Sequence, residues 1–401
     1  MKKLFSFCNL YILLWLIYDR QNLVFGRTGS IFSTIIIYFL IGVSALYTLY
    51  ALARYKMPSY MKGLTLLVAM FTVYGLVLIL SGRMILRSSG YMVANYNYIK
   101  QIYISLLPVF PFYVFTRQGK LDENMLRNWV VVFLLLTIVS YFFTSQQHRI
   151  ESENGAEEFT NNLGYVFLSL IPLLAFWSRN RAIQYVGLTV VMLFVLLCFK
   201  RGAIIIGAIC VAVFLIRTTR STSGTRKVWV VVLSIVVVLV GVYFVSRLLE
   251  TSDYFNRRVE ETLEGSSSGR DELYGVYWDH FMNEMNPLRF LFGNGANATL
   301  TIGDNYAHND WLELAINQGL LGIIIYIVYW LGLYKSWKQS IFDSDIHLAI
   351  GLCLIIYFLK TVFSMSYGDM SLYANICMGY CMARLSEYEI SSKQECPVYS
   401  V

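Results

Sequence analysis

Charge is what this chain has least of. Only 14% of its 401 residues are Asp, Glu, Lys or Arg, against roughly a quarter in soluble globular domains. With 57% hydrophobic residues to cover, too few charged groups remain for a water-facing surface, and a soluble globular fold is excluded. Ten-residue segments of alternating polarity are missing as well, which excludes a transmembrane β-barrel. The seven cysteines, at 8, 198, 210, 353, 377, 381 and 396, form no Cys-x-x-Cys pair. Most fall inside apolar runs and read as small core residues, not disulfides or metal ligands. The apolar run after Met-Lys-Lys has no small-residue cleavage site before Asp19, so it is expected to remain as a first span.

What the chain does have is apolar length. Its runs approach the ~20 residues needed to cross a ~30 Å hydrocarbon core, and they predict an all-α polytopic membrane protein with about 12 transmembrane helices. The expected spans are 4–18, 31–52, 61–80, 98–115, 128–144, 163–178, 182–199, 202–216, 228–248, 311–334, 346–366 and 369–385. Pro108, Pro111 and Pro172 fall inside spans and are expected to kink them. With the N-terminus inside, one set of loops carries eighteen Lys and Arg and the opposite short segments seven. That bias places both termini in the cytoplasm and accounts for the net charge of +7 without nucleic acid. The organisation expected is N-terminal helices over 1–160, central helices over 161–248, a large, partly helical outer loop over 249–310, and C-terminal helices with a cytoplasmic tail over 311–401. The acidic Glu151–Glu158 loop also faces outward.

Several polar features interrupt the apolar runs. Lys200 and Arg201 break the stretch from Ile183 to Ile216; they either line a wet cavity or bound anion, or make a tight turn with snorkelling side chains. Thr160 or Asn161 suits the N-cap of the next span. Lys100 and Lys360, near outer ends of runs, either point into a cavity or snorkel. In the long loop, Ser266–Gly269 reads as flexible. After Arg270, apolar residues at 273, 276, 277, 281 and 285 predict an amphipathic helix on the membrane with Trp278 as interface anchor, stopped by Asn286-Pro287. Phe292-Gly293-Asn294-Gly295 reads as a turn. Asp310 and Glu313 fit a capping-box pair at the start of the next span. His308, just before that helix, sits where the dipole disfavours an imidazolium, which suits a general base as well as a structural histidine. Gly319 and Gly322 are expected to let this span approach a neighbour closely.

His308-Asn309, nine residues, then Gly319-Leu320-Leu321-Gly322 resembles the signature of the O-antigen ligase and polymerase superfamily. The order of motifs is similar too: Arg201-Gly202 opening a mid-chain span, Arg270 before the Trp278 helix, Pro287 to Gly295, then the His-Asn pair. The likeness covers about Asn161 to Tyr334, and Lys200 stands where a small polar residue is common in the family. The resemblance implies a metal-independent, cofactor-free glycosyltransferase at the outer, periplasmic face of a bacterial inner membrane. It implies an undecaprenyl-diphosphate-linked glycan as donor and, as acceptor, a lipid-linked repeat unit (polymerase) or lipid A–core (ligase), with a chain-length regulator as a further partner. By that resemblance His308 is catalytic, Arg201 and Arg270 bind the diphosphate with Lys200 as helper, and Asn309, Glu313, Gly319 and Gly322 support them. Asp343-Ser344-Asp345 lies on the cytoplasmic side, the wrong face for a metal-dependent external transferase. A lipid-linked oligosaccharide flippase is the competing class; it would show mid-membrane charges and paired halves, whereas the charges here bunch at the outer face.

Overall fold

The computed structural model describes residues 6–26, 28–86, 92–151, 160–263 and 270–394. Lys2, Lys3, the acidic loop after Glu151, Ser266–Gly269 and Cys396 lie outside the described residues. Each of the expected spans falls on a helical segment. Eight of these helices are long and apolar enough to cross a membrane: Ile31–Arg54, Ser59–Leu80, Tyr96–Arg117, Glu123–Gln147, Arg201–Arg220, Thr225–Thr251, Asp310–Phe342 and Ser344–Phe363. Phe7–Asp19, Leu163–Trp177 and Arg181–Leu197 are apolar but shorter, and Leu372–Gln394 carries more polar residues. The chain is thus an all-α, multi-pass membrane protein. A two-residue hairpin, Ile85–Leu86 with Met92–Val93, is its sole sheet among the described residues.

The helices divide into two compact units. One comprises Met1–Ile36, Lys120–Ser266 and Ser340–Ile356; the other comprises Ile37–Gly119, Ser267–Gln339 and Tyr357–Val401. In the first, the Tyr185 hydroxyl lies 2.9 Å from Thr218 Oγ1 and 3.1 Å from Ser234 Oγ, tying three helices with one side chain. Around Pro172 the α-helix gives way to a 3-10 turn over Pro172–Trp177. Gln184 Nε2 donates to Leu174 O there at 2.9 Å, satisfying a carbonyl that the irregular backbone frees.

The second unit is built on close helix crossings. A Cβ on Gly63 would stand 2.8 Å from Tyr329 Cα, and one on Gly332 would stand 2.7 Å from Ser59 O. Glycine on each partner therefore lets the Ser59 and Asp310 helices approach backbone to backbone, the small-residue packing membrane helices rely on. Pro108 splits the expected span into Tyr96–Leu106 and Val109–Arg117. Asn375 Nδ2 donates to the buried Ser105 carbonyl at 2.9 Å. Lys360 is buried and donates to the Asp369 carbonyl and carboxylate, both at 2.7 Å, so it neither snorkels nor faces a cavity. Cys8, Cys198, Cys210, Cys353, Cys377 and Cys381 are buried.

The crossing predicts that Gly332→Val lowers stability by about 1–3 kcal/mol, the usual cost of overpacking, whereas Gly241→Val, with nothing within 4 Å, leaves it unchanged. Thermal unfolding of detergent-solubilised protein measures both. Equal melting temperatures for the two variants would remove this account of the crossing.

Candidate active site

The Asp310–Gln339 helix organises the outer segment. Its cap is Asn309, whose Oδ1 accepts from Trp311 N at 2.9 Å and Leu312 N at 3.3 Å. Asp310 and Glu313 are not the capping pair expected. Both are buried inside the unit and accept from donors outside the first turn instead. Asp310 accepts from Ser366 N at 3.0 and 3.1 Å and from the Tyr326 hydroxyl, pinning the connection after the Ser344–Phe363 helix. Glu313 accepts from Thr299 Oγ1 at 2.6 Å, Ala307 N at 2.8 Å and Asn317 Nδ2 at 2.8 Å. Its carboxylate is the strut around which residues 299–307 fold, immediately before His308.

Gly319 does not simply thin the helix surface. It has φ +66° and breaks the helix, and a Cβ there would stand 2.5 Å from Gly293 N. The break exposes carbonyls, and the glycine turn fills them: Asn294 N donates to Ile316 O at 2.9 Å and Gly295 N to Asn317 O at 3.0 Å. Gly293 (φ +76°) and Gly295 (φ +98°) adopt backbone that favours glycine. A side chain on Gly293 would meet Asn317 O at 2.3 Å. Gly322 stays helical, against Gln318.

Arg270 opens the Arg270–Asp279 helix, and its Nη1 donates to Phe363 O at 2.7 Å. Phe363 ends its helix, where unpaired carbonyls and the dipole attract a cation. One turn on, the Tyr274 hydroxyl lies 3.4 Å from both Val362 O and His308 O. Burial pushes its phenol above the ordinary range, with Arg270 and hydrogen bonds from Asn309 and Arg270 opposing; it stays protonated and donates. Arg270, Tyr274, His308 and Asn309 are thereby gathered at one helix end. Tyr274 went unnoticed in the sequence, although its four-residue spacing from Arg270 puts the two on one helix face.

His308 is half-buried and has φ +52°, a left-handed conformation uncommon for a non-glycine residue although histidine is among those enriched in it. The amphipathic helix is shorter than expected: at His280 it passes into a π turn over His280–Glu284. Tyr277 and Phe281 face inward with Ala298, Ala307, Ala315 and Ile316, while Trp278 is 58% exposed and Val276 is also exposed. Tyr277 donates to Asn305 O at 2.6 Å, a second anchor for the segment before His308.

Lys200 and Arg201 belong to the other unit. Lys200 precedes and Arg201 begins the Arg201–Arg220 helix, so the tight turn is real. Phe199, just before them, has φ +50°. Its ring packs on Tyr254 and Phe255, and Arg201 Nη1 lies 4.0 Å from Glu261. Asn161 Oδ1 accepts from Leu163 N at 2.9 Å, a local turn role close to the cap expected, and Asn161 N donates to Cys198 O at 2.9 Å.

Residues 187–327 match the family model described as O-antigen ligase. Over that stretch, which includes Arg201, Arg270 and His308, the resemblance to the O-antigen ligase and polymerase superfamily is borne out. No curated protein matches the chain.

Removing the Glu313 carboxylate strands three buried donors, each worth about 1–3 kcal/mol when unpaired. Glu313→Ala is therefore expected to lower the melting temperature strongly and to open residues 293–308 to limited proteolysis, while Glu313→Gln, which keeps an acceptor oxygen, loses less. A proteolysis pattern unchanged in Glu313→Ala would refute the strut.

Proposed function

We propose that this chain is a membrane glycosyltransferase that polymerises undecaprenyl-diphosphate-linked repeat units into O-antigen or capsular polysaccharide at the outer face of the inner membrane. One observation carries the reading. Arg270, Tyr274, His308 and Asn309 converge at a single helix end, inside a stretch that matches the O-antigen ligase family. The backbone supports it as well: of the four non-glycine residues with positive φ among the described residues, Phe199 precedes the proposed cations and His308 is the proposed base. Such strain costs about 1–3 kcal/mol per residue and concentrates at functional positions.

The chemistry follows from charge. As the bond between sugar C1 and the diphosphate oxygen breaks, its electron pair leaves with the diphosphate, and guanidinium forks stabilise that oxyanion bidentately. Arg270 and Arg201, with Lys200, take this role. His308 accepts the proton of the acceptor hydroxyl. The hydroxyl oxygen bonds to C1 on the face opposite the leaving group, so the configuration inverts. The Tyr274 hydroxyl, held to the His308 carbonyl, fixes the backbone on which the imidazole is carried. Transfer to lipid A–core is the second reading, favoured by the description of the matching family; it shares the donor chemistry and differs in the acceptor.

Arg270→Ala and His308→Asn are expected to reduce transfer by at least 100-fold in proteoliposomes supplied with lipid-linked repeat units, the range for losing one charge-stabilising or proton-transfer group. Asparagine tolerates the left-handed backbone at 308, so loss of activity there reports chemistry and not folding. Near-normal glycan length in both variants would sink the reading. Adding lipid A–core separates the two acceptors: product only in its presence identifies a ligase, and long chains in its absence a polymerase.

A further inference from the structure

The Pro287–Phe292 helix and the glycine turn after it are attached to two membrane-crossing helices well inside their ends. The Tyr74 hydroxyl donates to Phe292 O at 2.5 Å, and Tyr74 lies roughly 9 Å before the outer end of the Ser59–Leu80 helix at ~1.5 Å per residue. The turn docks at Ile316, Asn317 and Gly319, and Gly319 lies roughly 14 Å along the Asp310 helix. With a hydrocarbon core of about 30 Å, both attachments fall below the headgroups of the outer leaflet. The short helix exposes Leu288 (71%), Leu291 (41%) and Phe292 (45%), a composition that water would penalise. Its neighbours carry the same kind of surface: Val73 and Val77 on one spanning helix, Ile324 and Leu331 on the other, all exposed.

We infer that residues 287–295 form a re-entrant element that dips into the outer leaflet, with Leu288, Leu291 and Phe292 in contact with the acyl chains of bilayer phospholipids. Irregular backbone survives at that depth only when protein satisfies its polar groups. That condition is met at the turn by the carbonyls freed at Gly319, which accept from Asn294 N and Gly295 N. The Gly319 break thus supplies the acceptors that the re-entrant turn needs. Arg289, exposed on the same helix, has the length to snorkel to the phosphate level, so the element is fastened by hydrocarbon below and by an anionic headgroup above.

Photolabelling the unmodified protein tests this. In vesicles of phosphatidylethanolamine and phosphatidylglycerol free of polyprenyl lipid, a phospholipid with a mid-chain diazirine is expected to label the peptide containing 287–292 about as heavily as the peptide containing Val73 and Val77. Labelling at the background level of the exposed residues Asp271 and Glu272 would overturn the inference. So would labelling by a diazirine-bearing polyprenyl phosphate but not by the phospholipid, since the occupant would then be the polyprenyl chain. A second measurement uses Leu291→Asp in the full-length protein: protection of residues 287–295 from a water-soluble protease is expected to fall at least tenfold, and unaltered protection would count against membrane insertion.

Discussion

A peptide group has no water to turn to in hydrocarbon, and the second unit is arranged around that constraint. The Asp310 helix gives up its regular ladder at Gly319, and the cost is cancelled because a second irregular segment needs the same groups. Ile316 O and Asn317 O meet Asn294 N and Gly295 N, so two defects that would each be unfavourable alone satisfy one another. The fit is backbone on backbone, which explains why Gly293 and Gly319 face each other: a Cβ on Gly293 would stand 2.3 Å from Asn317 O and one on Gly319 2.5 Å from Gly293 N. The segment before His308 is tied to the same helix through Thr299, Ala307 and Glu313, and Tyr277 and Tyr274 hold it as well.

The buried carboxylates extend the same logic sideways. Asp310 collects backbone donors from Ser366 and Tyr367, and Glu313 collects Thr299, Ala307 and Asn317. A carboxylate removed from water is costly unless its lone pairs are filled, and here they are filled by backbone, hydroxyl and amide donors. Each acid organises a loop by giving its donors a common acceptor, and Tyr274 and Arg270 do the converse by donating to the bare carbonyls at Phe363 and Val362.

The helices were legible in the sequence because hydrocarbon thickness sets a run length that composition shows directly; each expected span meets a helix, even where Pro108 divides one. Glycine turns and the stop at Asn286-Pro287 were legible for the same local reasons. The roles of Asp310 and Glu313 were not. A pattern read along the chain assigns an acid to its nearest donors, whereas Asp310 takes a donor 57 residues away and Glu313 one 14 residues back. Gly319 misled in a related manner: small residues in a span signal close packing, but only the facing turn at Gly293 makes a full break cheaper than a continuous helix. Tyr274 was invisible because a tyrosine among thirty carries no signal until its hydroxyl is seen at His308 and Val362.

The anchors of the proposed catalytic residues come late in the chain. Arg270 is held by Phe363 and Asp310 by Ser366, both made well after the residues they hold. During synthesis residues 270–310 therefore emerge before Phe363 and Ser366 exist, and Arg270 and Asp310 meet these partners only when the later helices have been made. A chain cut short before Phe363 would thus carry Arg270 and Asp310 without the carbonyl and the backbone amide that hold them.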